Sequence, residues 1–391
     1  MTAAAARTTP ATLPARQHDR LPVLDVLRFI AALSVVIYHM TFRPQESALF
    51  GGLQAVSKYG YLGVDLFFII SGFVILWSAM GRTVPAYLIS RVARLFPSFW
   101  VAILVTSATM LALRPERLQP LRDIIVNFTM VPGYLGASYV DGVYWTLAIE
   151  LKFYFLVLLC LVFRQTARVQ TWLWVWLALT VACHIPAMPH ALRALVIFPY
   201  GAYFIAGSMF FLTWRDGPSI GRAAALVICL ALAGAAALGD RAGFMHSETV
   251  ESATVVLGFL VVAFAVFGAI ALRKFGELKG RMWFVLGTLT YPLYLIHNEV
   301  GKVVIHLLGP GVNEWLGLAA ALVVVGAVSW SMATLVEGRA SPRLRRWLTQ
   351  LQTRMLPARQ PAAPAQGGAS AGRARQSRYR LSAPSAGPPA P

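Results

Sequence analysis

Apolar runs of about 18–22 residues recur along the chain, the length an α-helix needs to cross the hydrocarbon core of a bilayer. Ten can be marked, at roughly 23–42, 60–80, 94–113, 143–163, 170–187, 194–214, 221–239, 250–271, 283–308 and 315–336. Lipid supplies no water to satisfy backbone N–H and C=O groups, so each span is expected to be helical. The period-2 alternation of a membrane β-barrel is not visible. The pattern predicts an all-α polytopic membrane protein, a bundle of about ten transmembrane helices. The fifth and seventh runs are the weakest. The ninth is long, and Pro292 marks a point where it can break.

Composition agrees. Hydrophobic residues make up 58% of the 391 and charged residues 13%, against about 45–50% and about 25% in an average soluble domain. A formal charge of +18 suggests nucleic acid at first sight. The basic residues, however, sit at the ends of apolar runs and in the C-terminal tail, where topology signals belong. No nucleic-acid partner is expected; the bilayer is. Their asymmetry puts both termini in the cytoplasm. Cys160, Cys183 and Cys229 lie in apolar segments at spacings that match no metal or redox motif, so no metal site is expected. Residues 1–20 contain no apolar signal-peptide core and read as a disordered cytoplasmic N-terminus. The membrane domain then covers 21–346, and 347–391 reads as a disordered basic Pro/Ala-rich cytoplasmic tail.

Ionisable residues inside the apolar runs are the chemical signal. The stretch LDVLRFIAALSVVIYH at 24–39 holds Asp25, Arg28 and His39. Eleven positions are almost three helical turns, so Arg28 and His39 share a face about 16 Å apart along the axis. A lipid-facing charge at mid-bilayer costs at least about 2.5–3.5 kcal/mol, so this face should look into the bundle or a wet cavity. Asp25 is placed to pair with Arg28. In GYLGVDLFFIISGFVI, Asp65 is a second buried acid, and Gly60, Gly63 and Gly72 permit close helix approach.

Arg91 and Arg94, in RVARLFPSFW, are neighbours on a helix. Such pairs clamp phosphates, though they also serve as plain topology charges. In VYWTLAIELKFYF, Glu150 and Tyr154 share a face and Lys152 points elsewhere. Tyr291, Tyr294 and His297 in LGTLTYPLYLIHNEV form a polar stripe, either lining a substrate cavity or hydrogen-bonding between helices. The Gly-, Tyr- and Pro-rich loop at about 114–142 is placed to fold back as a lid.

These stretches together resemble the integral-membrane acyltransferase 3 family, which O-acylates bacterial glycans. The matching pieces are LDVLRFIAALSVVIYH, GYLGVDLFFIISGFVI, RVARLFPSFW, YWTLAIELKFYF and LTYPLYLIH, with VEGRASPRL and its Glu337 a looser match. They cover about residues 21 to 345. The resemblance implies that His39 is catalytic, with Arg28 its partner motif residue, that Arg91 and Arg94 serve acyl-CoA, and that Glu150 is the motif acid. Lys152 stands where a neutral or acidic polar residue is expected, which leaves the charge balance at Glu150 open.

The implied activity is transfer of an acyl group, acetyl foremost, from cytoplasmic acetyl-CoA to a hydroxyl of an extracytoplasmic glycan or glycolipid, across the bacterial cytoplasmic membrane. No permanently bound cofactor is implied. His39 would act as base or acyl carrier, oriented by Glu150 or Asp65, and Arg28 would stabilise negative charge. Tyr154, Tyr291, Tyr294 and His297 would line the substrate path. Some relatives carry an extracytoplasmic esterase-like domain. The tail here has no folded composition, so this chain either completes transfer itself or hands over to a separate transferase. The competing reading is a transporter or flippase for an anionic or glycan substrate. Internal pseudo-symmetry would mark it, and none is visible.

Overall fold

The computed structural model describes residues 21–42, 50, 52–245, 249–275, 280–309 and 312–355. The disorder expected for 1–20 and for 356–391 concerns residues outside this set. Within it the elements are helical, in the order α1 (Pro22–Thr41), α2 (Gly52–Ser57), α3 (Gly63–Ala79), α4 (Val84–Leu113), α5 (Leu121–Asn127), α6 (Trp145–Val162) and α7 (Val169–Ala182). There follow α8 (His190–Leu195), α9 (Gly201–Asp216), α10 (Ile220–Met245), α11 (Val250–Ala271), α12 (Arg281–Leu308), α13 (Glu314–Met332) and α14 (Ser341–Met355).

The all-α membrane architecture is as expected, but the count of ten is not reached by length and composition. Seven segments are long and apolar enough to cross a bilayer. Of the other three expected spans, 170–187 becomes α7, only 14 residues long. Most of 194–214 becomes α9, 16 residues long, and Gly201 through Thr213 are all buried. A helix wrapped in protein has no need of a lipid-facing surface. The third is α12, which has length to spare at 28 residues but carries the polar stripe and its neighbours Asn298, Glu299 and Lys302. Pro292 does not break it; the helix runs through.

Two groups of helices meet at α3. Behind it, α9 packs against α3, α7, α10 and α11. In front, α1 packs on α3 and α12, and α12 on α4 and α13. The α3–α9 crossing is the tightest. A methyl group on Gly207 would run into the Ile69 carbonyl, and one on Gly72 into the Phe204 carbonyl. Ser208 Oγ donates to the Gly72 carbonyl across the same crossing at 3.2 Å. Small residues thus do here what they do between membrane helices generally: they let backbones touch.

Between α13 and α14 the chain widens into π-helical turns over Ala333–Ala340. Residues 347–355, expected in the disordered tail, are instead the second half of α14. Composition concealed the reason. Leu344, Trp347, Leu348, Leu351 and Met355 recur at helical spacing, with Arg343, Arg345, Arg346 and Arg354 between them. The helix packs against α4.

The 114–142 loop is pinned to the bundle: Trp100 Nε1 on α4 donates to the Phe128 carbonyl at 3.0 Å. Asn127 Nδ2 donates to the Asp123 and Ser138 carbonyls at 2.7 and 2.8 Å. Asp141, 1% exposed, accepts from Asn298 Nδ2 at 2.8 Å and from the Glu299 backbone N–H at 3.1 Å. This ties the start of α6 to the middle of α12.

Candidate functional site: two chambers on one axis

A cavity of about 1340 Å³ lies between α1, α3, α4, α6, α12 and α14, with Phe211, Trp214 and Arg215 of α9 at its edge. Its lining on α3 runs from Val64 to Ser78, about 21 Å of helical rise. Seven arginines line it (Arg28, Arg82, Arg91, Arg94, Arg215, Arg345 and Arg346) against the acids Asp25, Glu150 and Glu337. The chamber is therefore strongly cationic, and its low-dielectric walls focus that field on whatever enters.

The arginines divide by partner. Arg28 pairs with Asp25 at 3.3 Å, as the spacing predicts. Arg94 Nη1 donates to Glu337 Oε2 at 2.5 Å. It lies deep in the bundle, yet 44% of its side chain is accessible because it faces the cavity, whereas only 4% of Glu337 is. Arg94 also lies over the Tyr291 ring, 5.8 Å from its centroid.

Arg91 pairs with no carboxylate among the described residues. Its guanidinium lies over Tyr87 and Tyr154 at 5.7 and 5.5 Å, and its Nη2 donates only to Ser90 Oγ, at 3.1 Å. Arg82 stands at the same end. Partial burial and the nearby charges of Arg91 and Arg345 hold its guanidinium below the usual arginine range. Guanidiniums crowded without an anion among them make a ready phosphate site.

Glu150 faces this chamber. Its Oε1 accepts from Ser71 Oγ at 2.7 Å and from Tyr154 Oη at 3.0 Å. Lys152 does not disturb it: the ammonium lies over the Tyr134 ring, 5.0 Å from its centroid, on another face of α6. Tyr291 Oη donates to the Leu95 carbonyl at 3.0 Å, bridging α12 to α4.

His39 belongs to a second chamber of about 30 Å³, lined also by Tyr38, Tyr61, Asp65, Trp145, Asp240 and Phe244. Val64 and Tyr294 line both cavities, and so form the layer between them. Tyr294 is held in place: its hydroxyl lies 2.6 Å from Thr146 Oγ1 and donates to the Val143 carbonyl at 3.2 Å, and Phe67 meets its ring edge-on.

The ring of His39 is oriented by another histidine. His297 Nδ1 lies 2.8 Å from the Tyr294 carbonyl. A carbonyl only accepts, so this nitrogen carries the proton and His297 Nε2 is a bare acceptor. His39 Nδ1 sits 3.1 Å from that Nε2 and 3.0 Å from the Val35 carbonyl. Both neighbours accept, so His39 Nδ1 donates, leaving its Nε2 lone pair free. This is the tautomer a general base requires. The expected carboxylate orienters do not hold the ring: Glu150 faces the large chamber, and Asp65 shares the small one, but the partners of His39 Nδ1 are the Val35 carbonyl and His297.

The structure thus gathers Arg28, Arg91, Arg94, Glu150, Tyr154 and Tyr291 around one cavity and His39 and Asp65 around the other. Tyr294 stands between, and His297 behind His39. Sequence reasoning missed Arg82, Arg345 and Arg346, counted as topology charge, and did not single out Asp240. Asp141 was missed too; its only sequence signal was an acid just before the motif tryptophan.

A family model described as an acyltransferase domain matches residues 21–334. Exopolysaccharide production protein ExoZ of Rhizobium meliloti (strain 1021) is 29% identical over 63% of this chain and 78% of its own length. Peptidoglycan O-acetyltransferase OatA of Listeria monocytogenes is 30% identical over 34% of this chain and 23% of its own. Acyltransferase MdmB of Streptomyces mycarofaciens is 27% identical over 34% of this chain and 38% of its own. The chain thus spans most of the first and a quarter to two fifths of the others. No solved structure matches it.

Proposed function

The chain belongs to the acyltransferase family whose domain it matches, and from that premise we propose that it moves an acyl group from acyl-CoA to a glycan hydroxyl across the bacterial cytoplasmic membrane. An acyltransferase needs no transport reading to explain its buried charges. The observation that carries the proposal is the pair of chambers: a wide cationic one, and a small one holding a histidine with a free lone pair, one side-chain layer apart. The names of two relatives, one an exopolysaccharide protein and one a peptidoglycan O-acetyltransferase, support a glycan as acceptor.

The donor is acetyl-CoA, entering from the cytoplasm, where both termini lie. Its phosphates sit among Arg82, Arg91 and Arg345, and its thioester arm runs along α3 towards Tyr294. The layer of Val64 and Tyr294 parts to admit the carbonyl carbon. His39 Nε2 takes the proton of the acceptor hydroxyl as that oxygen attacks the thioester carbonyl. The carbon–sulfur bond breaks, the leaving thiolate recovers the proton from His39, and the products are an ester and free CoA thiol. His297 and the Val35 carbonyl accept from the His39 Nδ1–H throughout, and so steady the imidazolium. Arg94 holds Glu337 and shapes the floor of the donor chamber, while Arg28 and Glu150 set the field along the arm.

The test is made on the full chain in lipid nanodiscs with acetyl-CoA and muropeptide or exopolysaccharide fragments. Thiol release and ester formation should appear together, and His39→Ala should lose both while keeping acetyl-CoA binding. Ester formation at the wild-type rate in that variant would overturn the assignment.

A further inference from the structure

The small chamber is too small for the substrate it should serve. About 30 Å³ is the space of a water molecule or two, not of a sugar ring. Something now inside must make room, and the ring contacts identify it.

Phe244, near the end of α10, lies nearly parallel to Tyr61, with centroids 5.2 Å apart and planes at 19°. It is equally parallel to Trp145, at 6.3 Å and 18°. Tyr61 and Trp145 therefore offer one flat ring a slot with two near-parallel aromatic faces. Asp65 and Asp240 line the same chamber, and the Tyr203 hydroxyl donates to the Ala233 carbonyl at 3.0 Å. Tyr61 is 5% exposed, and its hydroxyl is buried without a partner. The Tyr38 hydroxyl is spent on the Phe244 backbone carbonyl, at 2.6 Å. His39 Nε2 has no hydrogen-bond partner among the described residues.

We propose that this slot is the acceptor subsite for a pyranose ring, and that Phe244 occupies the sugar's place until the acceptor arrives. The inference rests on the glycan-acylation reading and adds to it the shape of the acceptor and the residues that hold it. A pyranose presents C–H groups on its faces, which suit the negative faces of Tyr61 and Trp145. Its hydroxyls lie at the rim, where carboxylates accept strongly and the orphan Tyr61 hydroxyl gains a partner. Withdrawal of Phe244 also frees the Tyr38 hydroxyl, beside His39. Phe244 itself holds the slot by ring contacts and one backbone acceptor, with no side-chain hydrogen bond to give up. Until displaced, it keeps water from the base.

The experiment measures acetyl-CoA-dependent acetylation of methyl β-glucopyranoside, methyl N-acetyl-β-glucosaminide and the open-chain polyol sorbitol by the full chain in nanodiscs. Wild type should acetylate a pyranoside at least tenfold more efficiently than sorbitol. Phe244→Leu, which keeps apolar volume but no ring, and Phe244→Ala should lower the pyranoside KM several-fold and raise acceptor-independent hydrolysis of acetyl-CoA. Trp145→Phe should raise the pyranoside KM a few-fold, and Trp145→Ala about tenfold, with the acetyl-CoA KM unchanged in all four. Equal use of sorbitol, or Phe244 variants whose pyranoside KM rises with that of the Trp145 variants, would overturn the slot while leaving acyl transfer intact. Absence of ester and thiol release with every hydroxyl compound in wild type would instead overturn the parent reading, and the slot with it.

Discussion

The two chambers differ in almost every property that matters to chemistry. One holds about 1340 Å³ and the other about 30 Å³. The first is lined by seven arginines and reaches Arg345 and Arg346 on α14; the second is walled by aromatic rings and two acids. On the proposed function, the difference gives binding and bond-making separate surroundings. A polyanionic donor needs room, water and convergent positive charge. A neutral imidazole that must accept a proton is better served away from those guanidiniums, where water is scarce and its tautomer is fixed by neighbours.

Several substitutions break or sharpen this contrast. His39→Ala acts on the small chamber alone. It should lower kcat for ester formation by about 10²–10⁴-fold and leave the acetyl-CoA Kd, measured by calorimetry, within twofold. His297→Gln should cost on the order of tenfold to a hundredfold in kcat, because the acceptor that fixes the His39 tautomer is replaced. Its signature is a changed kcat–pH profile without a change in acetyl-CoA KM.

Tyr294→Ala removes the partition. Thiol release uncoupled from ester formation should rise several-fold in a thiol assay run beside an ester assay, and tight coupling in that variant would show that the layer is not the seal. Arg94→Ala strands the buried Glu337 carboxylate, at a cost of about 1–3 kcal/mol. Thermal stability in nanodiscs should fall, and Arg94→Ala combined with Glu337→Gln should recover part of it. Smallest, Arg82→Ala and Arg345→Ala should each raise the acetyl-CoA KM a few-fold and flatten its dependence on salt, since charges this exposed are well screened at physiological ionic strength.

The membrane architecture was legible in the apolar runs, and so were Arg28, His39, Asp65, Arg91, Arg94 and Glu150 as residues that line the two cavities, because ionised groups in greasy helices have few innocent explanations. What could not be read was pairing over distance. Nothing local joins Arg94 to Glu337, 243 positions away, or His39 to His297, 258 positions away. Spacing put Arg28 and His39 on one face correctly, but could not foresee that Tyr294, from α12, would divide that face between two cavities. The second half of α14 was hidden by a tail whose later residues dominate its composition, while α9 was legible as an apolar helix but not as one buried from Gly201 to Thr213.

The layer formed by Val64 and Tyr294 has an electrical meaning as well. An unbroken aqueous conduit through such a bundle would be a shunt, discharging the voltage on which an energised cell depends at about 2.3 kcal/mol per elementary charge per 100 mV. On the proposed function, two side chains that keep the cavities apart keep the bilayer an insulator. A covalent group can then be passed from hand to hand without any ion following it.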